Sequence, residues 1–117
     1  MATSPPHPQG ISELMLSVEK LPAEAIVHCT GKITSYSSAK LVETVRPLMT
    51  ETARVILDLT HVDYMDSSGM GAVVRLWVSA KKASVEFRVV NLSPRLKDLF
   101  TLTNISSLFE GQENFGL

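Results

Sequence analysis

An apolar run, Arg54-Val55-Ile56-Leu57-Asp58-Leu59, leads into Asp63-Tyr64-Met65-Asp66-Ser67-Ser68-Gly69-Met70-Gly71, and a helical pattern then runs from Met70 to Lys82. The run has the length and composition of a buried strand, so the stretch after it reads as a strand-to-helix turn. Asp66 is a good N-cap residue, and a cap there places Ser67 and Ser68 in the first helical turn. Backbone N–H groups in that turn have no intrahelical partners, and the helix dipole favours negative charge. Two hydroxyls at such a place suggest phosphate.

The rest of the chain supplies a scaffold for this turn. Leu14, Leu16 and Val18 alternate with polar neighbours, and Val27, Cys29 and Ile33 resume the alternation beyond Lys20-Leu21-Pro22-Ala23-Glu24, with a break at Gly31. The pattern predicts two paired antiparallel strands. Ser35, Ser37 and Ser38 offer N-caps for a first helix in which Leu41, Val42, Val45, Leu48 and Met49 recur at helical spacing. Pro47 predicts a kink or early stop near its end, since an interior proline costs about 3 kcal/mol. Val55 to Leu59 is the central strand. Val85, Phe87 and Val89 form another, ending at Asn91-Leu92-Ser93-Pro94, and Pro94 can open a third helix that turns Leu96, Leu99 and Phe100 inward. Leu108 and Phe109 add a short edge strand or simply pack.

The expected order is therefore β-β-α-β-α-β-α, a single small α/β domain whose mixed four- or five-stranded sheet carries packed helices. Residues 11–110 form this domain. Residues 1–10, with Pro5, Pro6, Pro8 and Gly10, form a flexible leader, and residues 111–117 form a flexible tail.

On a wheel of about 100° per residue, Met70, Val73, Leu76, Trp77 and Ala80 of the second helix gather toward the sheet. Ser68, Arg75, Ser79 and Lys82 gather opposite, with Gly71 and Ala72 at their margins, and should meet water. Val74 and Val78 lie between these faces on the Ser67 side. They either pack against the first helix or form a partner-binding strip. Gly69 and Gly71 each cost up to about 1 kcal/mol relative to alanine inside a helix, a cost usually offset by close approach of the sheet or of another backbone.

Other chemistries fit poorly. The turn lacks the lysine of a P-loop and the spacing of a dinucleotide fingerprint, and no Gly-x-Ser-x-Gly elbow marks a hydrolase. His7, His28 and His61 have no metal-ligand spacing, so no metal site is expected. His28 reads as a partly exposed strand histidine and His61 as facing a solvated loop. Cys29, the only cysteine, reads as a small buried residue. Lys+Arg 11 against Asp+Glu 12 gives a net charge of −1, with no global case for direct nucleic-acid binding. No apolar run approaches the roughly 20 residues needed to cross a bilayer, so no membrane insertion and a cytoplasmic location are expected.

The string from Val55 to Gly71 closely resembles the core of STAS domains of the bacterial anti-sigma-factor antagonist type. A hydrophobic strand, a Val-Asp-aromatic step, Asp-Ser-Ser-Gly and a following helix occur together, and the resemblance extends more loosely from Leu14 to Phe109. It implies that Ser67 is a phosphoacceptor, with Ser68 as the fallback. The implied kinase is an ATP-dependent serine-protein kinase that is also an anti-sigma factor, and a serine phosphatase resets the mark. The unphosphorylated form binds the anti-sigma factor and the phosphorylated form lets go, so the chain is a substrate and switch, not an enzyme, and needs no cofactor. The expected partner-binding set is Thr34, Asp66, Ser68, Gly69, Met70, Gly71, Val74 and Val78. Gly31-Lys32-Ile33-Thr34 departs from the family's usual Gly-Glu-Leu or Gly-Glu-Ile step and its acid, with Thr34 in place of the acid. The alternative is a non-phosphorylated STAS binding subunit of a transport or stress-signalling assembly.

Overall fold

The computed structural model describes residues 13–105. The expected leader and tail, and Leu108 and Phe109, lie outside them. Four strands, β1 (Leu14–Lys20), β2 (Glu24–Ile33), β3 (Arg54–Met65) and β4 (Glu86–Val90), stand in the spatial order β1-β2-β3-β4. β1 and β2 pair antiparallel as the hairpin, and β2–β3 and β3–β4 pair parallel, so the sheet is mixed. Helices α1 (Ser38–Val45), α2 (Ser67–Ala83) and α3 (Pro94–Leu102) complete the expected order. The parallel pairs need crossovers, which α1 and α2 supply.

Alternation decides which face of the sheet is covered. Ala25, Val27, Cys29 and Ile33 of β2, Val55, Leu57 and Leu59 of β3, and Phe87 and Val89 of β4 are buried with Leu41, Val45, Val73 and Leu76 of the helices. Cys29 belongs to this core, and burial, helped by the charge of Asp58, pushes its thiol up to about 12. It is an inert packing residue. Helix α1 stops at Val45 and continues as a 3-10 segment, Arg46–Thr50, with Pro47 in its first turn, where a missing N–H costs little. Ser93 caps α3, its hydroxyl accepting from the Leu96 N–H at 3.2 Å, with Pro94 at the first position.

Two features differ from expectation. β3 continues past Leu59 to Met65, because backbone pairing with Thr30–Ile33 holds a segment whose side chains, except Val62 and Met65, are exposed. The register slips around Cys29 and again between Gly31 and Lys32, and Gly31 takes φ 115°, a region that suits glycine. His61 thus stands on a strand, although it is exposed as expected. Second, Ala72 is fully buried, not at the edge of the water face. Its side of α2 is covered by α1 and the 3-10 segment, from which Arg46 Nε donates to Ser79 Oγ at 3.3 Å. Ser68 and Ser79 are half-buried for the same reason.

The close fit of α2 against the strand ends accounts for Gly69. A Cβ at this position would lie 2.3 Å from the Ile33 carbonyl oxygen and 2.7 Å from Met65 Cγ. At Gly71 the nearest atom would be the flexible tip of Arg75, 3.8 Å away. Gly69→Ala should therefore destabilise the fold by about 2 kcal/mol through overpacking against backbone. Gly71→Ala should be neutral or stabilise by up to about 1 kcal/mol. Urea unfolding of the two variants checks this, and equal effects would refute it.

The uncovered face carries a polar network. His28 donates or accepts between Asp58 Oδ2 at 2.9 Å and Glu19 Oε1 at 3.1 Å, and so links β1, β2 and β3. Its hydrogen bonds to Glu19 and then Asp58 raise its pKa. Partial burial would lift Asp58, but hydrogen bonds from the Thr60 hydroxyl and N–H, Asn91 Nδ2 and His28 outweigh this and hold its carboxyl down to about 2. The stabilisation from Asp58 is present above its ordinary carboxylate pKa and is lost as pH falls through about 2. That from the imidazolium is complete below about 6.5 and is lost as pH rises through its raised folded value. Wild type should thus exceed His28→Gln in stability most near about pH 5, with the gap shrinking toward about pH 9. Denaturant titrations at both values test this, and an unchanged gap would count against it.

Candidate functional site

The parallel strands β2 and β3 end side by side, Ile33 opposite Met65, and the turn that starts α2 lies just beyond their carboxyl ends. Crevices at such ends are the usual site position in α/β sheets. Asp66 is the expected N-cap: its backbone is extended and its Oδ1 accepts from the Gly69 N–H at 2.9 Å. Its other oxygen, Oδ2, accepts from the Ser35 N–H at 3.2 Å, and its own N–H donates to the Ile33 carbonyl at 3.2 Å. One carboxylate thus joins the start of α2 to the turn that follows β2.

Thr34 sits in that second turn and is only 8% exposed. Its hydroxyl donates to Glu13 Oε1 at 2.8 Å and accepts from the Tyr36 N–H at 3.1 Å, while its N–H donates to Ser37 Oγ at 2.9 Å. Ser37 Oγ also donates to the Lys32 carbonyl, so this serine braces the turn instead of capping α1. Thr34 therefore shapes the surface from beneath. Above it stands Tyr36, 88% exposed, and the end of β3 presents Tyr64, 44% exposed.

Ser67 is exposed at the first position of α2. Gly71, Val74 and Val78 follow on the same side of the helix, at spacings of four, three and four residues. Val78 is 39% exposed and Val74 half-buried, while α1 covers the Ala72 side, so the two valines form an open strip and do not pack under the first helix. Gly69 and Met70 are buried and position this surface without forming its top. Met70 also floors a groove of 450 Å³ between the start of α2 and α3, whose rim carries Tyr64, Asp66, Ser67 and Arg95.

The described histidines are engaged or placed elsewhere than at the Ser67 hydroxyl. His28 is engaged by Asp58 and Glu19 on the uncovered sheet face, and His61 lines a different groove with Thr30, Thr60 and Ser93. Both Asp66 oxygens already accept backbone N–H groups. No base is therefore placed against the Ser67 hydroxyl among the described residues, as the serine-nucleophile arrangement would need. Among the same residues no group of three His, Cys, Asp or Glu is placed to hold a metal ion. No helix of the described residues is long and apolar enough to cross a membrane.

Sequence patterning missed Tyr36 and Arg95 as members of this surface. Tyr36 lies in a serine-rich turn that periodicity marks only as a helix start, and Arg95 reaches the site through the packing of α3. Tyr64 was visible only as the aromatic member of the Val-Asp-aromatic step.

The STAS domain family model matches residues 15–116. An anti-sigma-B factor antagonist of Bacillus subtilis is 34% identical over 84 residues, 72% of this chain and 77% of that protein. Another from Listeria monocytogenes is 33% identical over 85 residues, 72% of this chain and 75% of that protein. In structure, an anti-sigma factor antagonist from Mycobacterium paratuberculosis superposes with a TM-score of 0.72 over 85% of each chain at 20% identity, which extends the likeness to the fold. The four-stranded mixed sheet and the helix order agree with these matches: the chain belongs to the STAS domain family.

Proposed function

We propose that this chain is an anti-sigma-factor antagonist that binds an anti-sigma factor through the exposed side of α2 and is switched off by phosphorylation of Ser67. The observation that carries the reading is the strip itself: an exposed serine at the helix start, a glycine whose missing side chain leaves the surface open, the half-buried Val74 and the exposed Val78. Tyr36 and Tyr64 flank it. Relatives that cover most of the chain are anti-sigma-B factor antagonists, which supports the same conclusion.

In the proposed switch the partner is a serine kinase as well as an anti-sigma factor. The Ser67 hydroxyl attacks the γ-phosphorus of ATP, ADP leaves, and the hydroxyl proton passes to a base of the kinase. A serine phosphatase hydrolyses the ester and restores the hydroxyl. The chain itself contributes no catalytic group or cofactor and works in the cytoplasm. Ser68 is half-buried against the α1 side, which favours Ser67 as the acceptor.

Charge explains how the mark acts. A phosphoserine carries about −1.5 to −2 charge units at neutral pH. At the N-terminus of α2 the helix dipole tolerates it, so the fold persists. Against a partner surface fitted to a hydroxyl, the dianion beside Asp66 must be desolvated, which costs several kcal/mol.

Ser67→Asp should lower affinity for the anti-sigma factor at least about tenfold, or 1.4 kcal/mol, in titration calorimetry, with unchanged unfolding. Wild-type affinity in that variant would sink the proposal. Incubation with ATP and the anti-sigma factor should add one phosphate to wild type and none to Ser67→Ala by intact mass. Gly71→Leu should weaken partner binding by about 2 kcal/mol or more while leaving the fold intact, because it fills the open step of the strip. Capture of a transport or stress-signalling assembly without phosphate uptake would favour the non-phosphorylated subunit instead.

A further inference from the structure

The groove between α2 and α3 places Arg95 on the same rim as Ser67. Many cations of the described chain are already engaged: Lys20 with Glu51, Lys32 with Asp63, Arg54 with Glu24 and Glu86, and Arg88 with Glu86. Lys40 donates to the Leu14 carbonyl, and Lys81 lies over Trp77. The exposed Arg95 guanidinium makes no hydrogen bond or ion pair among the described residues. Asp66, the carboxylate that lines this groove, spends both oxygens on backbone N–H groups and does not pair with it, and Arg95 also borders the neighbouring groove lined by His61 and Asp63.

We propose that Arg95 is the internal counter-ion of phosphorylated Ser67, closing the groove between α2 and α3 in the marked state. The inference rests on Ser67 being the phosphoacceptor. A guanidinium is suited to the task, since its planar fork binds phosphate oxygens in pairs. Met70 and Leu99 line the same groove with apolar surface, so a pair formed over them is less screened than one in open solvent. Arg75 is the competing cation. Its tip lies near Gly71 on the water-facing side of α2, outside the groove, where an ion pair gains little. Phosphorylation would then do more than add charge to the strip: it would draw α3 into the switch and fill an opening that the unmarked protein leaves accessible.

Phosphoserine introduced at position 67 during translation, without any kinase, isolates this step. Phosphorus NMR titration should give a second phosphate pKa that is lower in wild type than in Arg95→Gln by about half a unit or more, because a fixed cation favours the dianion. Lys97→Gln, which removes an exposed lysine of α3 outside the groove, should titrate like wild type. Arg95→Lys should fall between wild type and Arg95→Gln. Identical curves for wild type and Arg95→Gln, or a shift produced by Arg75→Gln and not by Arg95→Gln, would overturn the proposal. Failure of the kinase to mark Ser67 is read separately by intact mass and bears on the acceptor assignment alone.

Discussion

The Asp66 carboxylate holds together the parts on which this surface depends. One oxygen caps α2 at Gly69 and the other fastens the turn after β2 at Ser35. Removing it would leave two N–H groups seeking partners at once, whereas an ordinary N-cap serves one helix. The same join forces α2 so close to β2 that position 69 has no room for a Cβ against the Ile33 carbonyl. Cap, close approach and glycine are therefore one constraint seen from three residues. Ser67 inherits a fixed position from it without taking part in it.

The sheet divides labour between its faces. The covered face is a continuous apolar core under α1 and α2, and it gives the strand ends their rigidity. The uncovered face is held by charge, with Arg54 between Glu24 and Glu86 and His28 between Glu19 and Asp58. Exposed pairs of this kind contribute little to stability individually. Their value here is in tying strands by side chains where no helix of the described residues lies above them.

Much of this was legible because periodicity and end signals agree. Pro47 stops α1, Ser93-Pro94 starts α3, and Asp66 starts α2, each at the residue where local chemistry requires it. The family resemblance carried the Asp-Ser-Ser-Gly turn. What stayed hidden were relations between elements. Two glycines two residues apart looked equivalent, and only the docking angle of α2 shows that Gly69 is compressed and Gly71 is not. Ala72 looked marginal because a wheel knows nothing of the helix beside it. The second half of β3 lacked a hydrophobic alternation, since its place is fixed by ladder hydrogen bonds to β2 and not by burial.

The engagement of both Asp66 oxygens has a temporal consequence. Hydrolysis of a phosphate monoester is among the slowest uncatalysed reactions in water. A phosphate on Ser67 would sit beside a carboxylate already committed to two backbone amides and away from both described histidines, so no general base of the described residues is placed to hasten its loss. Under the proposed function the protein keeps no time of its own. It stores the last state written to it, and the lifetime of that memory belongs to the enzymes that write and erase it.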